Sequence, residues 1–413
     1  MPDVLVIGGG FAGVWAAAAA ARVREAVGGA DLSVTLVAPG DHLVIRPRLY
    51  EPAPGQLQVP LDRILSPVGV DQVRASVTRI YTGEHEVITI DQAGLRRSLS
   101  YQRLVLASGS QLRRPDLPGA ELLHDVDTMQ GALALETHLS RLPEGPGRFT
   151  AVVVGAGFTG LEVATELVGR LRAQAAALNG GARDPRVILL ERADVVGPDI
   201  GPGPRPAILA ALDEVGVEAL LGQTIAAVTP MGVRLEDGTR IAAATVVWTG
   251  GMQASPLTRD IPGRRDRLGR LEVDGELRVP RSPHVFAAGD TAAAVVEPGR
   301  TVLQSCQYAT QLGKHAGHNA AADLTGLPLA AFSAIPYVTC LDLGAVGALF
   351  TTGFERTVQL SGAEGKARKR LINQEWIYPP LDDPAKILTA ADHRSSRRQA
   401  GNAAHEGTVS HTL

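Results

Sequence analysis

Residues 4–13 read VLVIGGGFAG, and this stretch decides the fold. Four apolar residues run directly into a G-x-G-x-x-G pattern, which an alanine-rich helical stretch to about residue 24 and an apolar strand at 34–37 follow. This order predicts a βαβ unit, in which the glycines permit a tight turn, close approach of backbone N–H groups to a pyrophosphate, and close packing of helix on strand. The helix amino terminus then faces the anion. The stretch therefore predicts a dinucleotide site.

The same arrangement recurs at residues 151–160, which read AVVVGAGFTG. One such pattern is weak evidence in a chain with 46 glycines among 413 residues, but two strand-glycine-helix units indicate two nucleotide sites. A helix at 161–171 and a strand at 186–190 follow, and the strand ends at Glu191. A carboxylate there suits a free ribose 2′-hydroxyl and repels a 2′-phosphate, so NADH is favoured over NADPH, although the adjacent Arg192 leaves NADPH open.

Composition excludes several classes of protein. The net charge of -3 gives no electrostatic footprint for nucleic acid, and 45% hydrophobic residues are enough for two to three domains. The two cysteines, Cys306 and Cys340, form no disulfide framework and no C-x-x-C pair, which indicates a reducing compartment. Both are expected to be small buried hydrophobes. The histidines show no zinc-like grouping, so we predict no metal.

The amino terminus and the longest apolar run indicate where in the cell the protein is located. Val4–Ile7 reads as a buried strand, and residues 1–7 lack the basic region and cleavage site of a signal peptide. The longest alanine-rich stretch, residues 11–21, is shorter than the roughly 18 residues that span a bilayer. We expect a cytoplasmic protein without a transmembrane segment.

Three more motifs accompany the two glycine-rich loops: YQRLVLASGS at 101–110, VWTGG at 247–251 and VFAAGD at 285–290. Together they resemble the flavoprotein superfamily with two dinucleotide-binding domains, the pyridine nucleotide-disulfide oxidoreductases. The resemblance implies an α/β fold in which a Rossmann-like NAD-binding domain is inserted in a Rossmann-like FAD-binding domain, with a small α+β region at the carboxy terminus. It implies FAD and NADH as cofactors.

The domain boundaries follow from these motifs. We expect the first part of the FAD-binding domain at 1–115 and the NAD-binding domain at 116–250. The second part of the FAD-binding domain is expected at 251–325 and the carboxy-terminal region at 326–380. The polar stretch 381–413 has few large apolar groups and is expected to be a mostly disordered tail.

The resemblance also names the cofactor-binding residues. They come from the two glycine loops, the segment after residue 45, the end of the Glu191 strand and the three motifs above. They are Gly8, Gly10, Phe11, Ala12, Gly13, Arg46, Pro47, Ser108, Gly109, Gly155, Gly157, Phe158, Thr159, Gly160, Glu191, Thr249, Gly250, Gly289 and Asp290. One position departs from the family: Ala38 stands where relatives usually carry the acidic residue for the FAD ribose, and Asp41 is the nearest substitute.

Within the superfamily, RPRLY at 46–50 and SCQYATQLG at 305–313 are most similar to type II NADH dehydrogenases. In that family two glutamines spaced like Gln307 and Gln311 line a quinone pocket. Residues at i and i+4 share one face of a helix, so the two side chains would lie side by side. The alternative is that they belong to an ordinary polar helix face, which has the same spacing. By resemblance, Glu162 lies near nicotinamide and flavin and couples proton transfer to reduction. The alternative for Glu162 is a helix-dipole or capping role.

These residues predict an FAD-dependent oxidoreductase that takes a hydride from NADH and passes electrons to a quinone or quinone-like small molecule. Two alternatives stay open: reduction of a ferredoxin- or rubredoxin-type protein, and a NADH-binding regulatory flavoprotein with little turnover. In similar flavoproteins, disulfide reductases keep a cysteine pair near the positions of residues 46–51, and sulfide oxidisers keep a cysteine near those of residues 157–162. Neither cysteine of this chain lies near either range, so sulfide or disulfide chemistry is disfavoured. A homodimer is compatible with the sequence but not indicated by it.

The carboxy-terminal region carries a basic cluster, Lys366, Arg368, Lys369 and Arg370. Such a run is usually a solvated helix face, but it could meet anionic lipid weakly or dock an acidic protein. The aromatic stretch 372–380 is expected to dock on the body. The amphipathic membrane segment of the type II enzymes is not recognisable there.

Overall fold

A computed structural model describes residues 3–29, 31–177 and 185–395. Within these ranges a five-residue π-helical turn spans Ile372–Trp376. The α-helices of the described ranges are α1 (Phe11–Ala26), α2 (Asp62–Leu65), α3 (Met129–Ser140), α4 (Phe158–Ala177), α5 (Arg205–Val215), α6 (Cys306–Thr325), α7 (Gly362–Leu371) and α8 (Pro384–Ala390).

The strands fall into three stretches of the chain. The first stretch holds β1 (Val4–Ile7), β2 (Val34–Ala38), β3 (His42–Val44), β4 (Gln58–Pro60), β5 (Asp71–Arg74), β6 (Ser76–Tyr81), β7 (Glu86–Ile90), β8 (Arg96–Ser100), β9 (Arg103–Leu106) and β10 (Ser110–Leu112). The second holds β11 (Thr150–Val154), β12 (Arg186–Glu191), β13 (Val217–Leu221), β14 (Ile225–Thr229), β15 (Gly232–Leu235), β16 (Arg240–Ala242), β17 (Thr245–Trp248) and β18 (Met252–Ala254). The third holds β19 (Leu271–Glu272), β20 (Arg278–Val279), β21 (Ser282–Ala287), β22 (Ala292–Ala293), β23 (Val295–Glu297), β24 (Arg300–Thr301), β25 (Val338–Asp342), β26 (Ala348–Thr352) and β27 (Thr357–Leu360).

The largest sheet joins strands from both ends of this list. Its order is β20-β21-β9-β1-β2-β5, and all pairings are parallel except that of β20 with β21. β1 is buried throughout and lies between β2 and β9, which the chain reaches on opposite sides of β1. In open parallel sheets the ligand crevice forms at such a reversal, outside the carboxyl ends of the strands. The first glycine loop follows β1 at this point.

A second parallel sheet is built entirely from residues 150–248, in the order β13-β12-β11-β17. Its central strand β11 precedes the second glycine loop and α4, in the same relation that β1 has to the first loop and α1. Because β9 and β21 of the largest sheet flank this segment in the chain and pair with each other, the second Rossmann-like unit is inserted within the first. The predicted α/β fold with two Rossmann-like units is confirmed.

Helix α6 packs directly on α1, with glycines at the points of closest approach. A Cβ atom added at Gly313 would lie 2.2 Å from the carbonyl oxygen of Ala12, and one added at Gly317 would lie 2.0 Å from that of Ala16. Only helices with small facing residues can approach so closely, so the alanines of α1 and the glycines of α6 specify the pair. The packing brings the amino terminus of α6 beside the first glycine loop, which the residues near Gly289 also contact.

The carboxy-terminal region is an antiparallel sheet, β25-β26-β27, with α7 packed on β26. Residues 384–390, within the segment expected to be a mostly disordered tail, instead form α8, which packs on α1 and buries Ile387. An apolar side chain at this position contributes to the core, which composition alone did not reveal. Residues 396–413 of that predicted tail lie outside the described residues. In the described part of the chain, no helix is both long and apolar enough to cross a membrane.

Candidate active site

A cavity of about 2790 Å³ lies where the carboxyl ends of β1 and β11 meet the start of α6. Single-ligand pockets are usually about 300–1,000 Å³, so this volume is large enough for more than one ligand. All of the predicted site residues line it except Gly8, Gly13, Ser108 and Gly160. The fold therefore brings segments from eight parts of the chain to one place.

The glycines of the first loop fall into two groups, those that permit close packing and one that faces the cavity. Gly8 has φ +118°, and a Cβ atom added there would lie 2.3 Å from the carbonyl oxygen of Ala107. A Cβ atom added at Gly13 would lie 1.8 Å from the carbonyl oxygen of Gly8. These two glycines thus serve the turn and its contact with β9. Gly10, by contrast, has open space at its Cβ position and lines the cavity just before α1 begins at Phe11.

The second loop repeats this division. Gly155 has φ +106°, and a Cβ atom added at Gly160 would lie 1.8 Å from its carbonyl oxygen, whereas Gly157 faces open space. The Thr249 hydroxyl ties the loop to the end of β17 by donating to the carbonyl oxygens of Val154 (2.9 Å) and Gly155 (3.0 Å). Both loops thus present their middle glycine to the cavity.

Glu191 at the end of β12 is buried and lines the cavity. Its Oε2 accepts a hydrogen bond from the Ala156 N–H (2.8 Å) and its Oε1 from the Ala193 N–H (3.0 Å). A carboxylate offers about four lone-pair sites, so these two bonds fix its position and leave acceptor capacity. Arg192 beside it is exposed and also lines the cavity.

The position equivalent to Glu191 in the first unit is Ala38, which lines the cavity without any polar group. Asp41, the nearest substitute in the sequence, does not line the cavity; it accepts from Arg74 and pairs with His42 Nδ1 at 2.6 Å. Asp41 is therefore held away from the site by its own partners. The described cavity wall next to Ala38 consists of Pro39 and Gly40.

Arg46 is the centre of a polar cluster that crosses the cavity wall. Its Nε donates to Asp127 Oδ1 (3.1 Å) and its Nη1 to Ser110 Oγ (3.1 Å), while Ser110 Oγ donates to Asp290 Oδ2 (2.5 Å). Arg46 and Asp290 were predicted from their motifs. Asp127, which orients Arg46, carries no local signal in the sequence, because the contact spans 81 positions.

Glu162 stands in the first turns of α4, at the cavity, and forms a buried ion pair. Lys369 Nζ donates to its Oε1 at 2.7 Å and to the carbonyl oxygen of Cys340 at 2.9 Å, and the Asp342 N–H donates to the same Oε1 at 3.0 Å. Burial raises the pKa of the Glu162 carboxyl to about 7, against the lowering effect of Lys369. A group with such a pKa can both hold and release a proton near neutral pH.

Lys369 was part of the basic cluster for which a solvated face was expected. The structure corrects this for two of its members: Lys369 is buried against Glu162, and Lys366 Nζ donates to Asp342 Oδ1 at 2.5 Å. Arg368 lies over the rings of Phe350 and Trp376. The physical reason is that α7 packs on β25 and β26, which places Lys369 beside Glu162 and Lys366 beside Asp342.

Gln307 and Gln311 line the cavity on one face of α6, and each amide is engaged with a facing segment. Gln307 accepts from the Val338 N–H (3.3 Å) and donates to the Pro336 carbonyl (3.1 Å), while Gln311 accepts from the Ile335 N–H (3.1 Å). The glutamines therefore hold residues 335–338 along α6 at the cavity wall.

The two cysteines are free, and both line the cavity. Burial raises the pKa of the Cys340 thiol to about 11 and also raises that of Cys306. Both therefore stay protonated at neutral pH, which makes them poor nucleophiles. Among the described residues, no group of three or more His, Cys, Asp or Glu side chains is placed to hold a metal ion.

Known proteins resemble this chain over most of its length. The family model described as pyridine nucleotide-disulphide oxidoreductase matches residues 2–313. An NADH dehydrogenase-like protein of Mycobacterium tuberculosis is 47% identical over 405 residues, which cover 96% of this chain and 100% of that protein. A demethylphylloquinone reductase of Synechocystis sp. is 28% identical over 412 residues, which cover 92% of this chain and 97% of the relative.

Among solved structures, that of NDH2 from Plasmodium falciparum in complex with NADH has a TM-score of 0.76 and covers 94% of this chain and 96% of its own. The sequence identity is 12%, so this likeness establishes the fold alone. The higher identity and full coverage of the mycobacterial relative carry the family assignment.

Proposed function

The chain belongs to the pyridine nucleotide-disulphide oxidoreductase family, and from this premise we propose that it is an FAD-dependent enzyme that uses NADH to reduce a quinone or quinone-like small molecule. It is an NADH dehydrogenase-like oxidoreductase related to the type II NADH:quinone oxidoreductases. The observation that carries the choice of acceptor is Glu162, a buried carboxyl of pKa about 7 at the cavity. Quinone reduction consumes protons, whereas reduction of an iron–sulfur protein does not.

The residues around the first loop fit FAD. Gly10, Phe11 and Ala12 line the cavity where the first N–H groups of α1 carry no side-chain cap, which suits a pyrophosphate. Asp290 would hold the ribityl hydroxyls, and Arg46 would lie at the ring. When bound, FAD accepts a hydride from the nicotinamide and passes two electrons to the acceptor. The Ala38 side chain offers no acceptor to the adenosine ribose.

The residues around the second loop fit NADH. Gly157 leaves room for the backbone to approach a pyrophosphate. Glu191 lines the cavity and can accept further hydrogen bonds there, where the adenosine ribose of NADH would lie. A 2′-phosphate would meet a buried carboxylate there. We therefore propose NADH as the reductant in preference to NADPH. The exposed Arg192 would weaken this preference, because its positive charge favours a 2′-phosphate.

Proton balance gives Glu162 its role. The overall reaction, NADH + H⁺ + quinone → NAD⁺ + hydroquinone, takes one proton per turnover from outside NADH. Glu162 can supply it from the cavity wall, and Lys369 keeps the carboxylate that remains from being an unpaired buried charge. Both thiols stay protonated, which argues against a disulfide substrate. The free cysteines fit a cytoplasmic setting.

An acceptor screen tests this function. Under anaerobic conditions the NADH-reduced protein should be reoxidised rapidly by a soluble naphthoquinone and slowly by a ferredoxin or rubredoxin. Saturable turnover with the iron protein and little with quinones would overturn the proposal. Slow reoxidation by every acceptor would instead favour a regulatory flavoprotein.

The Gln307→Leu, Gln311→Leu double variant tests the place of the acceptor. We expect at least about tenfold slower quinone reduction, because the segment 335–338 loses the amide bonds that hold it at the cavity. Reduction by NADH should be unchanged. Gln359→Leu is the matched control, since Gln359 is an exposed residue of β27 that bonds only locally. Unchanged quinone turnover in the double variant would contradict this placement.

A further inference from the structure

The basic cluster of α7 places one arginine at the cavity wall without a polar partner in the described part of the chain. Lys366 and Lys369 face carboxylates, whereas Arg368 forms no hydrogen bond or ion pair with any residue that the structure describes. Aromatic rings hold its guanidinium instead, with Cζ 5.1 Å from the ring centre of Phe350 and 5.5 Å from that of Trp376. Contact with a ring leaves the five N–H donors without an acceptor oxygen.

A π-helical turn brings Trp376 to Arg368. Trp376 follows Arg368 by eight positions, which in a regular α-helix would turn the two side chains about 80° apart. The turn Ile372–Trp376 continues α7, and a π-helical turn takes up about one residue more than an α-helical turn, which reduces this angle to about 20°. Such turns are frequent at functional sites. This one gives a position, beside Arg368, to an aromatic stretch that has no role in the proposed function.

Arg368 and Trp376 line the cavity next to the wall proposed for the acceptor. Trp376 is also 38% exposed, which places this part of the cavity at the protein surface. Phe350, which lies under Arg368, packs in one cluster with Val338, and the Val338 N–H donates to Gln307. An acceptor that reaches Gln307 from this side would therefore pass Arg368.

An acceptor bound here must replace the hydration of Arg368. Water can satisfy the guanidinium N–H groups before a ligand binds, but an acceptor that fills this part of the cavity displaces that water. A neutral acceptor would then leave a charged group with unmatched donors, which is costly. A carboxylate instead accepts two parallel hydrogen bonds from an arginine. An arginine with open donors at the wall therefore selects acceptors by their charge.

We propose that the acceptor is an acidic quinone, one whose ring system carries a carboxylate, and that Arg368 binds this carboxylate. The inference rests on the proposed quinone reduction and names the class of quinone. Arg368 takes no part in electron or proton transfer, and Glu162 keeps the role proposed for it. Phe350 and Trp376 hold the guanidinium in place, so little side-chain freedom is lost when the carboxylate binds.

Two quinones that differ in charge test the inference: 1,4-naphthoquinone-6-carboxylate and its methyl ester. In steady-state turnover of the holoenzyme with NADH, we expect a KM for the acid at least about tenfold below that for the ester, because hydrogen bonds between charged groups are worth that factor or more. Arg368→Gln should raise the KM for the acid at least about tenfold and leave the KM for the ester and the reduction by NADH unchanged. Arg368→Lys should keep part of the preference, since it keeps the charge but loses the planar fork.

Arg370→Gln is the matched control, because Arg370 is an exposed arginine of the same helix that does not line the cavity. Its KM values for both quinones should equal those of the wild type. Binding is measured separately from turnover with 2-naphthoate, a redox-inert probe. This probe should raise the Tm of the oxidised wild-type holoenzyme and leave that of Arg368→Gln unchanged.

Equal KM values for the two quinones in the wild type, or a preference for the acid that Arg368→Gln retains, would overturn the inference and leave quinone reduction in place. Equal KM values together with binding to phosphatidylglycerol vesicles that Arg368→Gln abolishes would assign the arginine to a lipid surface instead. A wild-type protein that reduces neither quinone would overturn the proposed function itself, and the acceptor class with it.

Discussion

The Glu162→Gln variant should reduce a soluble quinone about a hundredfold more slowly than the wild type, while its flavin is still reduced by NADH at a normal rate. Glutamine keeps the shape and can still accept from Lys369, but it has no proton to give. Stopped-flow absorption of the flavin separates the two half-reactions. Equal slowing of both would mean that Glu162 is needed for structure rather than for proton supply.

The pKa of Glu162 sets the direction in which the rate of quinone reduction should change with pH. Because burial raises the pKa of Glu162 to about 7, the protonated donor is populated below that pH and lost above it. Wild-type quinone reduction should therefore fall as the pH rises through about 7, and the Glu162→Gln variant should lack this fall. Glu218→Gln is the matched control, since Glu218 lies on the surface in an ion pair with Arg186. Its profile should match that of the wild type.

The Gly13→Ala variant should be purified without flavin, or should not fold. The added methyl group would lie 1.8 Å from the carbonyl oxygen of Gly8, and the contacting atom is backbone that cannot move without opening the first loop. The absorption of the purified protein at flavin wavelengths, relative to that of the protein band, measures the loss.

The matched control is Gly169→Ala, in an exposed turn of α4 with nothing within 4 Å of the added atom. That change should keep flavin and add a few tenths to about 1 kcal/mol of stability through helix propensity. Full flavin content in Gly13→Ala would contradict the assigned packing of the first loop.

The sequence predicts what is local in this molecule. The strands before both glycine loops and the helices after them follow from runs of adjacent residues, and they stand where they were expected. The helix after the second loop is longer than predicted, Phe158–Ala177 rather than 161–171, because helix ends depend on tertiary contacts that periodicity does not report. The insertion of one unit in the other was implied only by the resemblance to the flavoprotein superfamily.

What the sequence could not supply is the set of long-range pairs that complete the site. Lys369 contacts Glu162 across 207 positions, and in the sequence it is one of four basic residues in a row of five. No pattern distinguishes the buried lysine from its neighbours. The same holds for Asp127, which orients Arg46, and for Asp342, which lies at the end of an ordinary strand. Such partners are chosen by packing, so only the fold reveals them.

The most direct test of the central claim is an anaerobic titration of the purified protein with NADH, with the flavin absorption recorded and the released cofactor identified after denaturation. The account predicts that FAD is released and that about one equivalent of NADH bleaches the flavin, with NADPH much less effective. Absence of FAD, or FAD that NADH does not bleach, would contradict it.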